Sequence, residues 1–94
     1  MSKSVLSNEK KCFFCGDTRD LHRHHIYYGI GNRSLSEKHG CWVWICAKHH
    51  NMSNRSVHMD RDMDLRLKQY CQRYMESNGW TREDFMEVFG RSYI

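Results

Sequence analysis

The chain of 94 residues has no proline, so its tight turns must rest on glycine, asparagine or aspartate. It also has no apolar run long enough to span a bilayer. Nor does Met1-Ser2-Lys3-Ser4-Val5-Leu6-Ser7 contain the apolar segment of a signal peptide. The expected setting is therefore cytoplasmic, with no membrane partner. No linker, repeat or low-complexity tract divides the chain, and its length allows one domain, residues 1–94. A strong excess of one charge sign is also missing. The net charge of +4 fits a polyanionic partner without requiring one, and most of the scattered basic residues read as solvated surface.

Cysteine and histidine are abundant, at five and seven residues. A chain this short buries only a modest core, and such domains often need a metal or disulfides. An odd cysteine count in a cytosolic setting favours metal over disulfides. Two short-spaced pairs, Cys12-x2-Cys15 and Cys46-x2-His49, supply four ligands of the kind zinc takes in a tetrahedron. Gly16 follows the first pair as in a knuckle turn. Cys41 and Cys71 stand alone and read as small apolar residues.

Residues 1–11 are polar and are expected to be loose at the start. Residues 21–28 read as β-like, and Gly29-Ile30-Gly31-Asn32-Arg33-Ser34 as a glycine-punctuated loop. Trp42-Val43-Trp44-Ile45 is a strong short strand. A helix is expected from Cys46 or Ala47 to about Ser53. Leu65, Leu67, Tyr70, Cys71, Tyr74 and Met75 fall close to helical spacing over residues 60–77, before Asn78-Gly79. Thr81-x-x-Asp84 resembles a capping box opening a last helix with Phe85, Val88 and Phe89 on one side. This apolar stripe reads as core packing.

The remaining histidines lie inside and just beyond the two pairs. His24 and His25 are adjacent on a strand and so point to opposite faces. His50 follows His49 on a helix, where neighbouring side chains diverge by about a hundred degrees. One of the two can serve a structural metal and the other a second site. His22 shares a strand face with His24 and is a rival ligand, although a surface or hydrogen-bonded role is the simpler reading. His39 reads as a loop residue. His58 lies eight residues beyond His50.

These residues resemble the HNH nuclease family, in its zinc-stapled ββα-metal branch. That pattern runs C-x2-C, D/H-H-I, a middle Asn, then a strand ending in L-C-x2-C-H. The matching pieces here are Cys12-x2-Cys15, His24-His25-Ile26, Trp42-Val43-Trp44-Ile45-Cys46 and His49-His50. His49 stands where the family has a second cysteine. The match covers roughly residues 12–58, and residues 60–94 are similar to the tails of small phage-encoded members.

The resemblance implies an α+β fold: a small zinc-stapled ββα-metal, treble-clef-like core over about 12–58, with a C-terminal helical part over about 60–94. It implies structural Zn2+ on Cys12, Cys15, Cys46 and His49. It assigns a catalytic divalent metal (Mg2+, Mn2+ or Ni2+) to His24 and His50, completed by His58 or Asn54, and the general base to His25. The middle-Asn position holds Cys41. The group that orients the base there is a main-chain carbonyl, which does not depend on the side chain.

The implied activity is metal-dependent hydrolysis of nucleic-acid phosphodiesters, DNA in the first place, leaving a 3′-hydroxyl and a 5′-phosphate. The implied biological setting is a phage protein acting in a bacterial host. Arg33, Lys48 and Arg55 are candidates for backbone contacts, and a homodimer is an open alternative to a monomer. The competing function is a non-catalytic zinc-stapled module that binds nucleic acid or protein.

Overall fold

The structure, a computed structural model, describes residues 3–52 and 60–94. It is an α+β arrangement in which a two-stranded sheet packs against helices. Strands β1 (Leu21–His25) and β2 (Trp42–Cys46) pair antiparallel, with His22 opposite Ile45, His24 opposite Val43 and His25 opposite Trp42. Trp, Val and Ile in β2 suit a pleated, packed surface. Four of its five residues are buried, and only Trp44 is partly exposed.

β1 is shorter than the β-like pattern of residues 21–28. The paired strand ends at His25, one further bond continues it in register, and the backbone of Tyr27 then turns to α1. The Ile26 N–H donates to the Cys41 carbonyl at 2.9 Å. Tyr27 exchanges two hydrogen bonds with the Ser36 hydroxyl, its N–H donating at 3.1 Å and its carbonyl accepting at 2.7 Å.

Ser36 belongs to helix α1 (Asn32–His39), which occupies half of the connection between the strands. Residues 32–34, expected in a glycine-punctuated loop, and His39, expected in a loop, are helical instead. Gly31 and Gly40 flank the helix rather than interrupt it, and both adopt left-handed backbone. His39 is the last helical residue and packs edge-on against Trp80, with ring centres 5.1 Å apart. Burial lowers its pKa, and Lys38 adds to the effect.

Gly40 has a second reason to be glycine. Its φ is 74°, and a Cβ there would run into the Lys3 carbonyl. The chain start crosses at this point, with the Val5 N–H donating to the Gly40 carbonyl at 2.9 Å. Ser4 is buried, and its hydroxyl donates to the Trp42 carbonyl at 2.5 Å. Farther along, the Phe13 N–H donates to the Trp44 carbonyl at 2.8 Å. The segment before Cys12 is therefore tied to β2 from Ser4 onward, not loose as its polarity suggests.

A π-helical turn (Lys48–Met52) follows β2 in place of the expected α-helix to about Ser53. Helix α2 (Arg61–Ser77) opens on Asp60, whose carboxylate accepts from the N–H groups of Asp62 and Met63. Helix α3 (Arg82–Phe89) opens on the expected capping box of Thr81 and Asp84. Of its apolar residues α2 buries Leu67, Cys71 and Met75, one per turn, beside the buried Lys68 and Gln72, and leaves Leu65, Tyr70 and Tyr74 exposed. The apolar stripe read from the sequence is therefore wider than the buried one.

Tyr27 is the centre of the core. It is fully buried, its hydroxyl donates to the Lys68 carbonyl at 2.7 Å, and Phe89 and Phe85 lie 4.4 and 5.1 Å from its ring. Cys41 and Cys71 are fully buried, as their isolation in the sequence suggests. The fully buried Gln72 closes the C-terminal end, accepting from the Tyr93 N–H at 2.8 Å and donating to the Ser92 hydroxyl at 2.9 Å. Among the described residues no helix is long and apolar enough to cross a membrane.

Candidate metal centre and adjoining cavity

Cys12 and Cys15 are carried on a tight turn closed by the Gly16 N–H, which donates to the Cys12 carbonyl at 2.8 Å. Gly16 takes a φ of 76°, the backbone region that favours glycine. Cys46 ends β2, and the π-helical turn brings His49 back towards it. The three sulfurs and the His49 Nδ1 all lie within 4.8 Å of one another.

The distances within this cluster decide what it can hold. Cys46 Sγ is 3.2 Å and Cys12 Sγ 3.7 Å from His49 Nδ1, and Cys15 Sγ is 3.7 Å from Cys46 Sγ. A tetrahedral zinc would set its ligands about 3.8 Å apart between sulfurs and about 3.6 Å apart between sulfur and nitrogen. These three distances are close to those values, and the four residues are compatible with structural zinc. All five cysteines are free thiols.

The thiols themselves are prepared unevenly. Burial pushes the Cys12 thiol up, but the backbone groups of Cys46, Cys15 and Phe14, helped by the Cys15 side chain, outweigh it and bring the thiol down to about 6. At Cys15 the Asp17 backbone pulls the thiol down. Desolvation and the neighbouring Cys12 and Cys46 sulfurs overcome that pull, and the thiol is raised. One thiolate forms readily and makes its neighbour harder to ionise. A cation removes that penalty, because the ligands must be deprotonated to bind.

Beside the cluster, where β1 ends, opens a cavity of about 310 Å³ lined by Arg23, His24, His25, Tyr28, Arg33 and His50. His24 is buried, whereas His25, Arg23 and His50 are partly exposed. His24 and His25 leave the strand on opposite faces, yet both reach the cavity because it forms around the strand's last residue. Adjacent side chains in a helical turn point about a quarter-turn apart. His49 therefore joins the sulfurs while His50 lines the cavity.

Two side-chain networks brace this cavity. On one side His25 Nε2 lies 3.1 Å from Glu37 Oε1, and the Arg23 guanidinium donates to Glu37 Oε2 at 2.8 Å. Arg23 is itself held 3.6 Å over the Trp42 ring. On the other side His22 Nδ1 meets His50 Nδ1 at 2.9 Å, and the His24 ring centre lies 5.4 Å from that of His50.

The structure brings the sequence-selected His24, His25, His50 and Arg33 to one cavity. Lys48 lies on the exposed side of the π-helical turn, outside the cavity lining. His58, Asn54 and Arg55 fall outside the described residues. The expectation that a main-chain carbonyl at position 41 orients His25 needs correction. The Cys41 carbonyl accepts from the Ile26 N–H, and the His25 ring is held by Glu37 instead.

Glu37 and Arg23 carried no functional signal in the sequence reading. Glu37 lies just past the residues read as a loop. Had α1 been recognised between its two glycines, its charged residues would have been candidates for facing β1. His22, read chiefly as a surface or hydrogen-bonded residue, is hydrogen-bonded, and its partner is the functional candidate His50. Comparisons with protein-family models, curated proteins and solved structures find no match to this chain.

Proposed function

We propose that this chain is a metal-dependent endonuclease of the HNH type, hydrolysing nucleic-acid phosphodiester bonds, with DNA as the first substrate to test. The observation that carries this reading is the convergence of His24, His25, His50 and Arg33 on one cavity beside the Cys12–Cys15–Cys46–His49 cluster. On this reading the cluster holds structural Zn2+ in a treble-clef-like core, which secures the π-helical turn and with it His50.

His24 and His50 are the described residues that would hold a catalytic divalent cation, and imidazole ligands favour transition metals, so nickel or manganese would support activity alongside magnesium. Such an ion supplies Lewis-acid stabilisation of charge on the phosphate and on the leaving oxygen. His25 takes the proton from the attacking water. Glu37 holds Nε2 of His25 in its N–H form, so Nδ1 is the accepting nitrogen. The water oxygen bonds to phosphorus, the bond from phosphorus to the 3′-oxygen breaks, and that oxygen leaves as a 3′-hydroxyl after protonation. Arg33, at the cavity rim, contacts the phosphate backbone.

The test is plasmid nicking by zinc-loaded protein with added Mg2+, Mn2+ or Ni2+. Wild-type protein should cut and His25→Ala should be slower by about 100-fold or more. Equal cutting by the two would end the assignment of His25. Binding without any metal-stimulated cutting would favour a non-catalytic binding module.

A further inference from the structure

We infer that His22 is a positioning residue for His50: it accepts a hydrogen bond from His50 Nδ1–H and so leaves Nε2 as the nitrogen His50 presents to a cation. The inference rests on the proposed second metal site. It adds a role for a residue that lies outside the cavity, on the strand face shared with His24.

Two Nδ1 atoms at 2.9 Å are within hydrogen-bond distance, and one of them must carry the proton. Imidazole offers one donor and one acceptor when neutral, and the partner of one nitrogen decides the state of the other. If His50 donates through Nδ1, its Nε2 is a lone-pair donor on the opposite side of the ring. If His22 donates instead, His50 Nε2 carries the hydrogen and cannot bind metal. Of these two hydrogen-bonded arrangements, only the first makes His50 a ligand.

The placement of the rings favours a supporting role over direct ligation by His22. His24, His25 and His50 line the cavity, whereas His22 does not. The His22 and His50 rings meet edge to face, with centres 5.0 Å apart and planes at 86°. An edge-on partner fixes the plane of the second ring as well as its tautomer. β1 also holds His22 rigidly, in register opposite Ile45. Partners that orient metal-bound histidines change metal affinity by about 10- to 100-fold when removed.

The experiment uses the full chain with its zinc retained, comparing wild type, His22→Asn, His22→Leu and His24→Ala. Asn places its side-chain oxygen close to where His22 has Nδ1 and keeps the acceptor, whereas Leu removes it. Nitrogen NMR of the His50 ring, recorded without added metal, should show the proton on Nδ1 in wild type and His22→Asn, with that preference lost in His22→Leu. Calorimetry with Co2+ should give a second site weakened by about 10- to 100-fold in His22→Leu, largely restored in His22→Asn and absent in His24→Ala.

A His50 proton on Nε2 in wild type overturns the inference. So does unchanged Co2+ affinity in His22→Leu, or equal loss of the second site in His22→Asn and His22→Leu, the latter making His22 a ligand. If wild type binds no second Co2+, the proposed metal site fails. The nitrogen signals of His50 then still decide the His22 contact by themselves.

Discussion

The carboxylate of Glu37 bridges two residues of one strand, Arg23 at 2.8 Å and His25 at 3.1 Å, from a helix inserted between the paired strands. It therefore holds the His25 ring through Nε2 and Arg23 through its guanidinium. Glu37→Gln preserves size and one acceptor oxygen but removes the charge. On the proposed reading, single-turnover cutting should fall by about 10- to 100-fold with little change in DNA affinity. A rate equal to wild type would leave Glu37 as a brace for Arg23 alone.

Arg33 offers the converse signature. It lines the cavity and is exposed, and among the described residues it is not part of the Glu37–His25 pairing, so its expected contribution is to binding. Arg33→Ala should weaken DNA binding and reduce its dependence on salt by about one counterion. Fluorescence anisotropy across a salt series measures this. A changed cutting rate at saturating DNA would place Arg33 in the chemistry instead.

The sulfur cluster should be required for folding. Three cysteines and a histidine gather residues from before β1, the end of β2 and the π-helical turn into one cluster compatible with zinc. Cys46→Ser, or removal of the metal with a strong chelator, is expected to release one zinc per chain and lower the melting temperature sharply. Calorimetry with metal analysis checks this. Retention of the native melting transition after complete zinc removal would contradict it.

The α3 capping box should carry a measurable pH dependence. The Thr81 backbone N–H, together with its side chain, holds the Asp84 carboxyl below its ordinary 3.8. A folded-state pKa below the unfolded one contributes stability above pH 3.8, and that contribution is lost as pH falls through the lower, folded value. Asp84→Asn should flatten the acid limb of the stability curve. Thr81→Ala should cost about 1 kcal/mol in urea unfolding at neutral pH.

Local chemistry was legible wherever it was written in adjacent residues. The two short-spaced ligand pairs, the Trp42-Val43-Trp44-Ile45 strand and the Thr81–Asp84 box each state their own geometry, and each is found. α1 was not legible because Gly29 and Gly31 read as loop punctuation and its apolar face is small. Ser36 holds it to Tyr27 by hydrogen bonds, and periodicity does not detect these. Ser4 was missed for the same reason, since a single serine in a polar stretch does not announce a bond to a strand 38 positions away. The pairings Glu37–His25 and His22–His50 depend on the packing of α1 and the π-helical turn against β1, which no short motif encodes.

His49 and His50 are joined by one peptide bond, yet one faces the sulfur cluster and the other the cavity. Any shift that draws His49 towards an ion is transmitted undiluted to its neighbour, with no flexible spacer to absorb it. A single residue inserted between them would swing His50 by about a quarter-turn while leaving both motifs intact on paper. The two centres share a hinge pin, and neither can be re-aimed alone.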